Sequence, residues 1–319
     1  MATRCAILDD YQNVALKLAD WTALRDVDVE VFNMPIGDQA SVIKTLRGFA
    51  VVCLMRERTQ FGRAVFEGLP DLRLVLTGGM RNAAIDLAAA KERDVVVCGT
   101  ESPGSPTAEL AWGLILELTR KIGFENARLK AGAWWQSTLG HDLGGKTLGV
   151  VGLGKLGSKV AQVGRAFGMD VVAWSQNLTE DKCRAAGATL VSKDELFRRS
   201  DFISVHLQLS GRTRGLIGAK DLGAMKPTAF FINTSRGPIV VEAALIEALA
   251  SGRIAGAGID VYDIEPLPLD HPLRKLDNAV LTPHLGYVTE ETYRRFYEQM
   301  VENITAWQAG KPLRLMLPK

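Results

Sequence analysis

Short apolar runs recur through residues 1–100 at Cys5–Leu8, Val27–Phe32, Val51–Leu54, Leu72–Thr77 and Val95–Cys98, with helix-like stretches such as Asn13–Leu24 and Ser41–Leu46 between them. Buried strands alternating with helices predict a parallel sheet covered on both faces. A second series follows at Leu148–Val151, Asp170–Trp174, Ala188–Val191, Phe202–Leu207, Ala229–Asn233, Ile254–Ile259 and Ala279–Leu281. Between the two series the pattern is that of a long helix over 105–130. Ser105 is its candidate cap, Pro106 suits its first position, and Glu109 sits near its positive end. Leu110, Leu114, Ile115, Leu118 and Ile122 form its apolar stripe, which predicts a linker helix or a subunit contact. In the Gly132-Ala133-Trp134-Trp135 stretch the tryptophans are expected to pack into the core, with a dimer contact or a pocket lip as the alternative.

A last helix starts at Thr289, with Glu290 and Glu291 in its first turn. Tyr293, Phe296, Tyr297, Met300, Ile304 and Trp307 set its period, and Gly310 and Pro312 stop it. The tail Leu313–Leu317 has no sheet of its own. Returning to the first domain would give helix and tail a partner, so the expected division is 1–100 with 288–319, and 101–287.

The run Leu148–Val151 breaks into Gly152-Leu153-Gly154-Lys155-Leu156-Gly157. The G-x-G-x-x-G spacing, between a strand and a helix followed by a second strand, predicts a dinucleotide-binding turn and a Rossmann domain. Gly152 would permit the turn, Gly154 would let the backbone approach a pyrophosphate, and Gly157 would bring helix and strand together. Val160, Val163 and Phe167 would face inward, with Gly168 past the helix end. An acidic residue is expected at the end of the second strand to take the ribose hydroxyls of NAD. Here Ser175, Gln176 and Asn177 follow Trp174 instead. No carboxylate repels a 2′-phosphate and no arginine attracts one, so a nicotinamide cofactor is expected with NAD or NADP open and a lean to NADP.

Composition narrows the classes. The chain has 319 residues, 47% apolar and 23% charged, with net charge +2, so neither a nucleic-acid nor a membrane surface is expected. The N-terminus reaches Asp9 and Asp10 too soon for a signal peptide. Cys5, Cys53, Cys98 and Cys183 lack metal spacing and are expected to be buried, reduced thiols of a cytoplasmic protein.

Three polar clusters follow strands: Asn233-Thr234-Ser235-Arg236-Gly237, Asp260-Val261-Tyr262-Asp263-Ile264-Glu265-Pro266, and Thr282-Pro283-His284-Leu285-Gly286. Arg236 is a candidate carboxylate fork and His284 a candidate acid–base group needing a carboxylate partner. The remaining histidines are weaker candidates: His141 and His271 lie in polar loops, and His206 ends a strand. The order of these clusters after the glycine turn, with Ser200–Leu207 and Glu109, resembles the D-isomer-specific 2-hydroxyacid dehydrogenase family over nearly the whole chain.

That resemblance implies an α/β fold of two doubly wound parallel-sheet domains, a Rossmann cofactor domain and a flavodoxin-like substrate domain, with a cleft between. It implies hydride transfer between NAD(P)(H) and a 2-keto or 2-hydroxy acid by a homodimer. Arg236 would grip the substrate carboxylate, His284 would deliver the proton, and Glu265 would hydrogen-bond the histidine and favour its protonated form. Asp260 would hold the nicotinamide carboxamide. Besides the glycine turn and Ser175–Asn177, His206, Leu207, Thr213, Thr234, Ser235 and Gly286 would line the dinucleotide.

The chain departs from the family pattern at two places. Gly78-Gly79-Met80-Arg81-Asn82-Ala83 replaces a Gly-x-Asp-Asn turn that offers N–H groups to the substrate, and Gln208 replaces a proline. Gly79, Met80, Arg81 and Arg56 are the candidate substrate contacts, with Arg58 adding positive charge. Two alternatives stay open at this point: a non-catalytic, dinucleotide-sensing regulator on the same fold, and a dehydrogenase of a phosphorylated or inorganic anion.

Overall fold

The computed structural model describes residues 2–102 and 104–318; Met1, Pro103 and Lys319, which the expected domain ranges include, lie outside the described residues. The chain forms two compact units, Met1–Gly104 with Thr289–Lys319, and Ser105–Val288. The first holds strands β1 (Thr3–Ile7), β2 (Val27–Val31), β3 (Val51–Leu54), β4 (Leu74–Thr77) and β5 (Val96–Cys98), ordered β2-β1-β3-β4-β5 and parallel throughout. Central β3 and β4 are buried along their whole length, which is why they read as unbroken apolar runs. Edge strand β2 alternates half-buried valines with exposed Asp28 and Glu30.

The C-terminal helix Glu290–Gln308 belongs to this unit. Thr289 caps it by accepting from the Thr292 N–H, and Tyr293, Phe296, Tyr297, Met300 and Ile304 are buried. The tail then runs antiparallel to β5: Gly99 N–H donates to Arg314 O at 2.9 Å and Met316 N–H to Val97 O at 2.8 Å.

The second unit holds β6 (Thr147–Val151), β7 (Asp170–Trp174), β8 (Thr189–Leu190), β9 (Phe202–Val205), β10 (Phe230–Asn233), β11 (Gly256–Ile259) and β12 (Ala279–Leu281), ordered β12-β11-β10-β9-β6-β7-β8, again parallel. Separate apolar clusters cover its faces. One is built around Phe197, Phe231 and Ile239, the other around Trp112, Ile115 and Val160 of the flanking helices.

Several local expectations are corrected. The stretch Asn13–Leu24 is not one helix: Ala15–Leu18 is helical, then Asp20 takes the Thr22 N–H and starts a 3-10 turn at Trp21–Ala23. The helix over 105–130 breaks at Lys121 (φ 48°) into Pro106–Arg120 and Ile122–Lys130. There the Glu117 carboxylate takes the Gly123 N–H, and Ile122 turns 57% exposed instead of extending the buried stripe. Ser105 makes no side-chain cap bond. In the helix Lys155–Ala166 the buried face is Gly157, Val160, Ala161 and Gly164; Val163 and Phe167 are exposed, the latter's ring lying against Trp112. Trp134 and Trp135 are 92% and 61% exposed, so core packing is wrong for both. The four cysteines are buried free thiols, and among the described residues no helix is long and apolar enough to cross a membrane.

Candidate active site

Strand register assembles the site. Trp174, Val151, Val205, Asn233, Ile259 and Leu281 are level across β7, β6, β9, β10, β11 and β12. One residue further on, Ser175, Gly152, His206, Thr234, Asp260 and Thr282 therefore form a row along the carboxyl edge. The strand order reverses between β6 and β9, and that switch point is where open α/β sheets bind ligands.

The glycine turn fits a dinucleotide. Gly152 has φ +100°, and a Cβ there would lie 2.7 Å from His206 O. A Cβ at Gly157 would collide with Gly152 O. At Gly154 a Cβ would meet nothing within 4 Å among the described residues, so this position is open for a phosphate to approach the helix N-terminus. Lys155 and Leu156 begin that helix, where the first N–H groups lack intrahelical partners. Two polar atoms of the row are sealed from solvent without a hydrogen-bond partner among the described residues, His206 Nδ1 and Thr234 Oγ1. His206 keeps part of its surface open, but its Nε2 is engaged by Ser204 Oγ at 2.8 Å, and burial holds the ring down to about pKa 4.

The candidate acid–base pair forms across two loops. His284 Nδ1 lies 2.6 Å from Glu265 Oε2, and the Tyr262 N–H donates to Glu265 Oε1 at 2.9 Å. Burial pushes the Glu265 carboxyl up, but the bond and charge of His284, the Tyr262 N–H and the Arg236 charge outweigh it and hold the group below the usual carboxylate range. An ionised Glu265 can only accept, which puts the shared proton on Nδ1 and leaves Nε2 as the ring atom for proton exchange. His284 has φ +54°, a left-handed conformation that costs about 1–2 kcal/mol for a residue with a side chain. Arg236 is half-buried at the end of a loop shaped by Asn233, which takes the Ser235 N–H and donates to Arg236 O.

The other residues that the resemblance places along the dinucleotide also bond within the protein. Asp260 has no exposed surface; its carboxylate accepts from Thr282 Oγ1, Leu285 N–H and Gly286 N–H. Burial raises its pKa, against those bonds and the His284 charge. Thr213 ties its own loop, donating to Gln208 O at 2.6 Å and accepting the Ser210 N–H. Ser235 Oγ donates to Val205 O. Leu207 packs against the core, and Ser175 opens a turn closed by the Leu178 N–H, with Gln176 and Asn177 exposed at its tip.

Arg56, Gly79, Met80 and Arg81 belong to the other unit. The Gly79 amide donates to Thr100 Oγ1 at 2.8 Å and so is committed internally, while Met80 and Arg81 are exposed. Arg56, itself at φ +56°, reaches Gly78 O and Glu57. The Tyr262 N–H and the Thr107 hydroxyl, which donates to Gly286 O at 2.7 Å, escaped sequence reasoning. Backbone amides carry no sequence signal, and Thr107 is remote in the chain from its partner.

A glycine turn open to a phosphate at a switch point, in the same unit as a histidine–carboxylate pair, is the make-up of a dinucleotide-dependent oxidoreductase. Residues 112–286 match the family model for the D-isomer specific 2-hydroxyacid dehydrogenase NAD binding domain. The chain is 38% identical over 255 residues to a glyoxylate reductase of Korarchaeum cryptofilum, covering 77% of this chain and 76% of that one. It is 38% identical over 258 residues to a hydroxypyruvate reductase of Thermotoga maritima, covering 79% and 83%. The crystal structure of a phosphoglycerate oxidoreductase from Vibrio cholerae superposes with a TM-score of 0.92 at 36% identity, covering 97% and 99%. The chain belongs to the D-isomer specific 2-hydroxyacid dehydrogenase family and is an NAD(P)-dependent 2-hydroxyacid dehydrogenase, or 2-keto acid reductase.

Proposed function

We propose that the enzyme reduces short 2-keto acids of the glyoxylate and hydroxypyruvate kind, with His284 and Glu265 as its acid–base pair and Arg236 as the cation for the substrate carboxylate. The 2.6 Å contact between His284 and Glu265 carries this reading. When bound, the reduced nicotinamide supplies hydride to the carbonyl carbon. Reduction places negative charge on the carbonyl oxygen beside a carboxylate, so the site needs a fixed cation and a proton donor. His284 delivers its proton from Nε2, and Glu265 offsets the imidazolium charge while its second oxygen is held by the Tyr262 N–H. The guanidinium of Arg236 matches the carboxylate in a planar fork.

Arg56, Gly79, Met80 and Arg81 are assigned to the substrate, Gly79 by leaving room for the Arg56 guanidinium, since its own amide is taken by Thr100 Oγ1. A Cβ there would run into Arg56 Nη1. Gly152, Gly154, Lys155, Leu156 and Gly157 hold the pyrophosphate. With Ser175, Gln176 and Asn177 at the β7 end, the enzyme accepts both NAD and NADP and leans to NADP, because polar donors favour a dianion that no carboxylate opposes. The exposed apolar side chains of the Ile122–Lys130 helix (Ile122, Phe124, Leu129), with Trp134 and Trp135, support a homodimer through this region.

The test is kcat/KM for glyoxylate, hydroxypyruvate and 3-phosphohydroxypyruvate with NADH and NADPH. The two short keto acids should be turned over well above the phosphorylated one. Turnover of the phosphorylated acid alone would overturn the substrate assignment.

A further inference from the structure

The second unit holds another histidine–carboxylate pair, outside the row of strand ends. His271 Nε2 lies 3.1 Å from Glu242 Oε1, and both residues are half-buried. The Leu273 N–H donates to His271 Nδ1 at 3.3 Å, so the ring proton sits on Nε2 and faces the carboxylate. Both ring nitrogens are thus consumed inside the protein, and neither is left for proton exchange. What the pair holds is the segment between Tyr262 and Pro272. Glu242 Oε2 accepts the Asp263 N–H at 3.4 Å where that segment begins, and Oε1 takes His271 where it ends. One carboxylate therefore staples both ends of the loop, and Glu265 stands between them. Arg274 fastens the far limb, its Nε donating to Pro268 O and its Nη2 to Leu267 O, each at 2.8 Å. Glu242 itself opens the helix Glu242–Ala250, which follows the turn after Arg236. A Cβ on Gly237 would run into the Tyr262 carbonyl and lie 2.6 Å from Asp263 N, so the loop starts pressed against the Arg236 segment.

We propose that Glu242 and His271 are positioning residues, and that their staple sets where Glu265 stands relative to His284. The proposal rests on the assignment of Glu265 and His284 as the acid–base pair. A carboxylate suits the role because the two groups facing it, the His271 Nε2–H and the Asp263 N–H, are both donors. An amide in its place would turn its NH2 toward one of them. Without the staple the loop swings as a longer free span, and the Glu265 carboxylate spends less time on His284 Nδ1.

The experiment measures kcat with the best 2-keto acid substrate, and the NADH dissociation constant, in full-length Glu242→Ala, His271→Ala and His271→Gln. It then places Glu242→Ala and His271→Ala on a Glu265→Ala background. Glu242→Ala and His271→Ala should each lower kcat about tenfold, within the range for contacts in one network, with NADH affinity unchanged. His271→Gln, whose amide NH2 can donate where Nε2 did, should recover most of the loss. On Glu265→Ala no carboxylate remains to be placed, so neither substitution should lower kcat further. A merely structural role would lower it by the same factor in both backgrounds, and that result overturns the proposal. So does wild-type kcat in Glu242→Ala. Should Glu242→Ala not fold, the His271 variants decide by the same comparison. Wild-type kcat in Glu265→Ala is a different outcome: it removes the acid–base reading itself, and the staple with it.

Discussion

The two units share an architecture and differ at the carboxyl edges of their sheets. In the first unit the edge is tied to itself. The Asp9 carboxylate takes the Thr59 and Tyr11 hydroxyls, Asp10 takes the Val14 and Ala15 N–H groups, Asn82 donates to Arg56 O and Thr77 Oγ1, and Thr100 takes the Gly79 N–H. In the second unit the edge holds an open position at Gly154, and His206 Nδ1 and Thr234 Oγ1 are sealed from solvent with no hydrogen-bond partner among the described residues. A parallel sheet with a switch point is therefore not by itself a nucleotide site. The difference lies in the open approach at Gly154, where a Cβ would meet nothing within 4 Å among the described residues.

The comparison breaks most severely at His284. His284→Ala should lower kcat by about a hundredfold or more, the scale of a positioned acid, while NADH titrated by fluorescence binds as in wild type. Turnover within a fewfold of wild type would reject the assignment. Next come the two glycines of the turn, which separate ligand from fold. Gly154→Ala should raise the NADH dissociation constant about tenfold, equivalent to ~1.4 kcal/mol, without lowering Tm. Gly157→Ala should lower Tm, because its Cβ meets Gly152 O. Unchanged NADH affinity in Gly154→Ala would mean that the open side does not face the cofactor.

Ser175→Asp should cut kcat/KM for NADPH more than for NADH, through repulsion of the 2′-phosphate. A wild type that already prefers NADH a hundredfold would contradict the reading of this strand end. Glu265→Gln tests the charge in the pair. The carboxylate is held ionised below its usual range, so in wild type it faces the imidazolium as an anion down into acidic solution. Removing that charge leaves His284 bonded to a neutral amide in place of an anion. kcat/KM for reduction should then fall, and an undiminished value would dissolve the dyad.

The smallest effect is expected in the first unit. Burial raises the Asp9 carboxyl above its unfolded value of about 3.9. Between those two values the native state binds more protons, so stability is fully present below the unfolded value and is lost as pH rises through the folded one. Asp9→Asn should flatten that slope in Tm measured against pH and leave NADH affinity alone. A slope identical to wild type would show that Asp9 is ionised without penalty.

Much of this was legible in the chain. Continuous apolar runs announced β3, β4, β9 and β10 because strands covered on both faces need no alternation. The glycine spacing located the turn, since Gly152 and Gly157 leave no room for a Cβ and Gly154 between them stays open to a ligand's approach. Where sequence reasoning failed, local and distant forces competed. Ile122 continued a helical period, yet Glu117 folded back onto the Gly123 N–H and ended the helix. Val163 and Phe167 fitted an apolar face, but close packing against β6 selected the small residues Gly157, Ala161 and Gly164 instead.

By itself the sequence determined which residue types could do chemistry and the order in which they follow the strands. Side-chain period and glycine geometry are properties of the local chain. Only the tertiary structure decided which of those residues meet. Register across six parallel strands aligned Ser175, Gly152, His206, Thr234, Asp260 and Thr282 in one row, and the side chain of Asp260 turned inward to hold the histidine turn. The physical reason is that a buried carboxylate must be satisfied by whatever donors the fold brings to it, and for Asp260 those donors lie on a loop that the chain reaches only after another helix-sized stretch and strand.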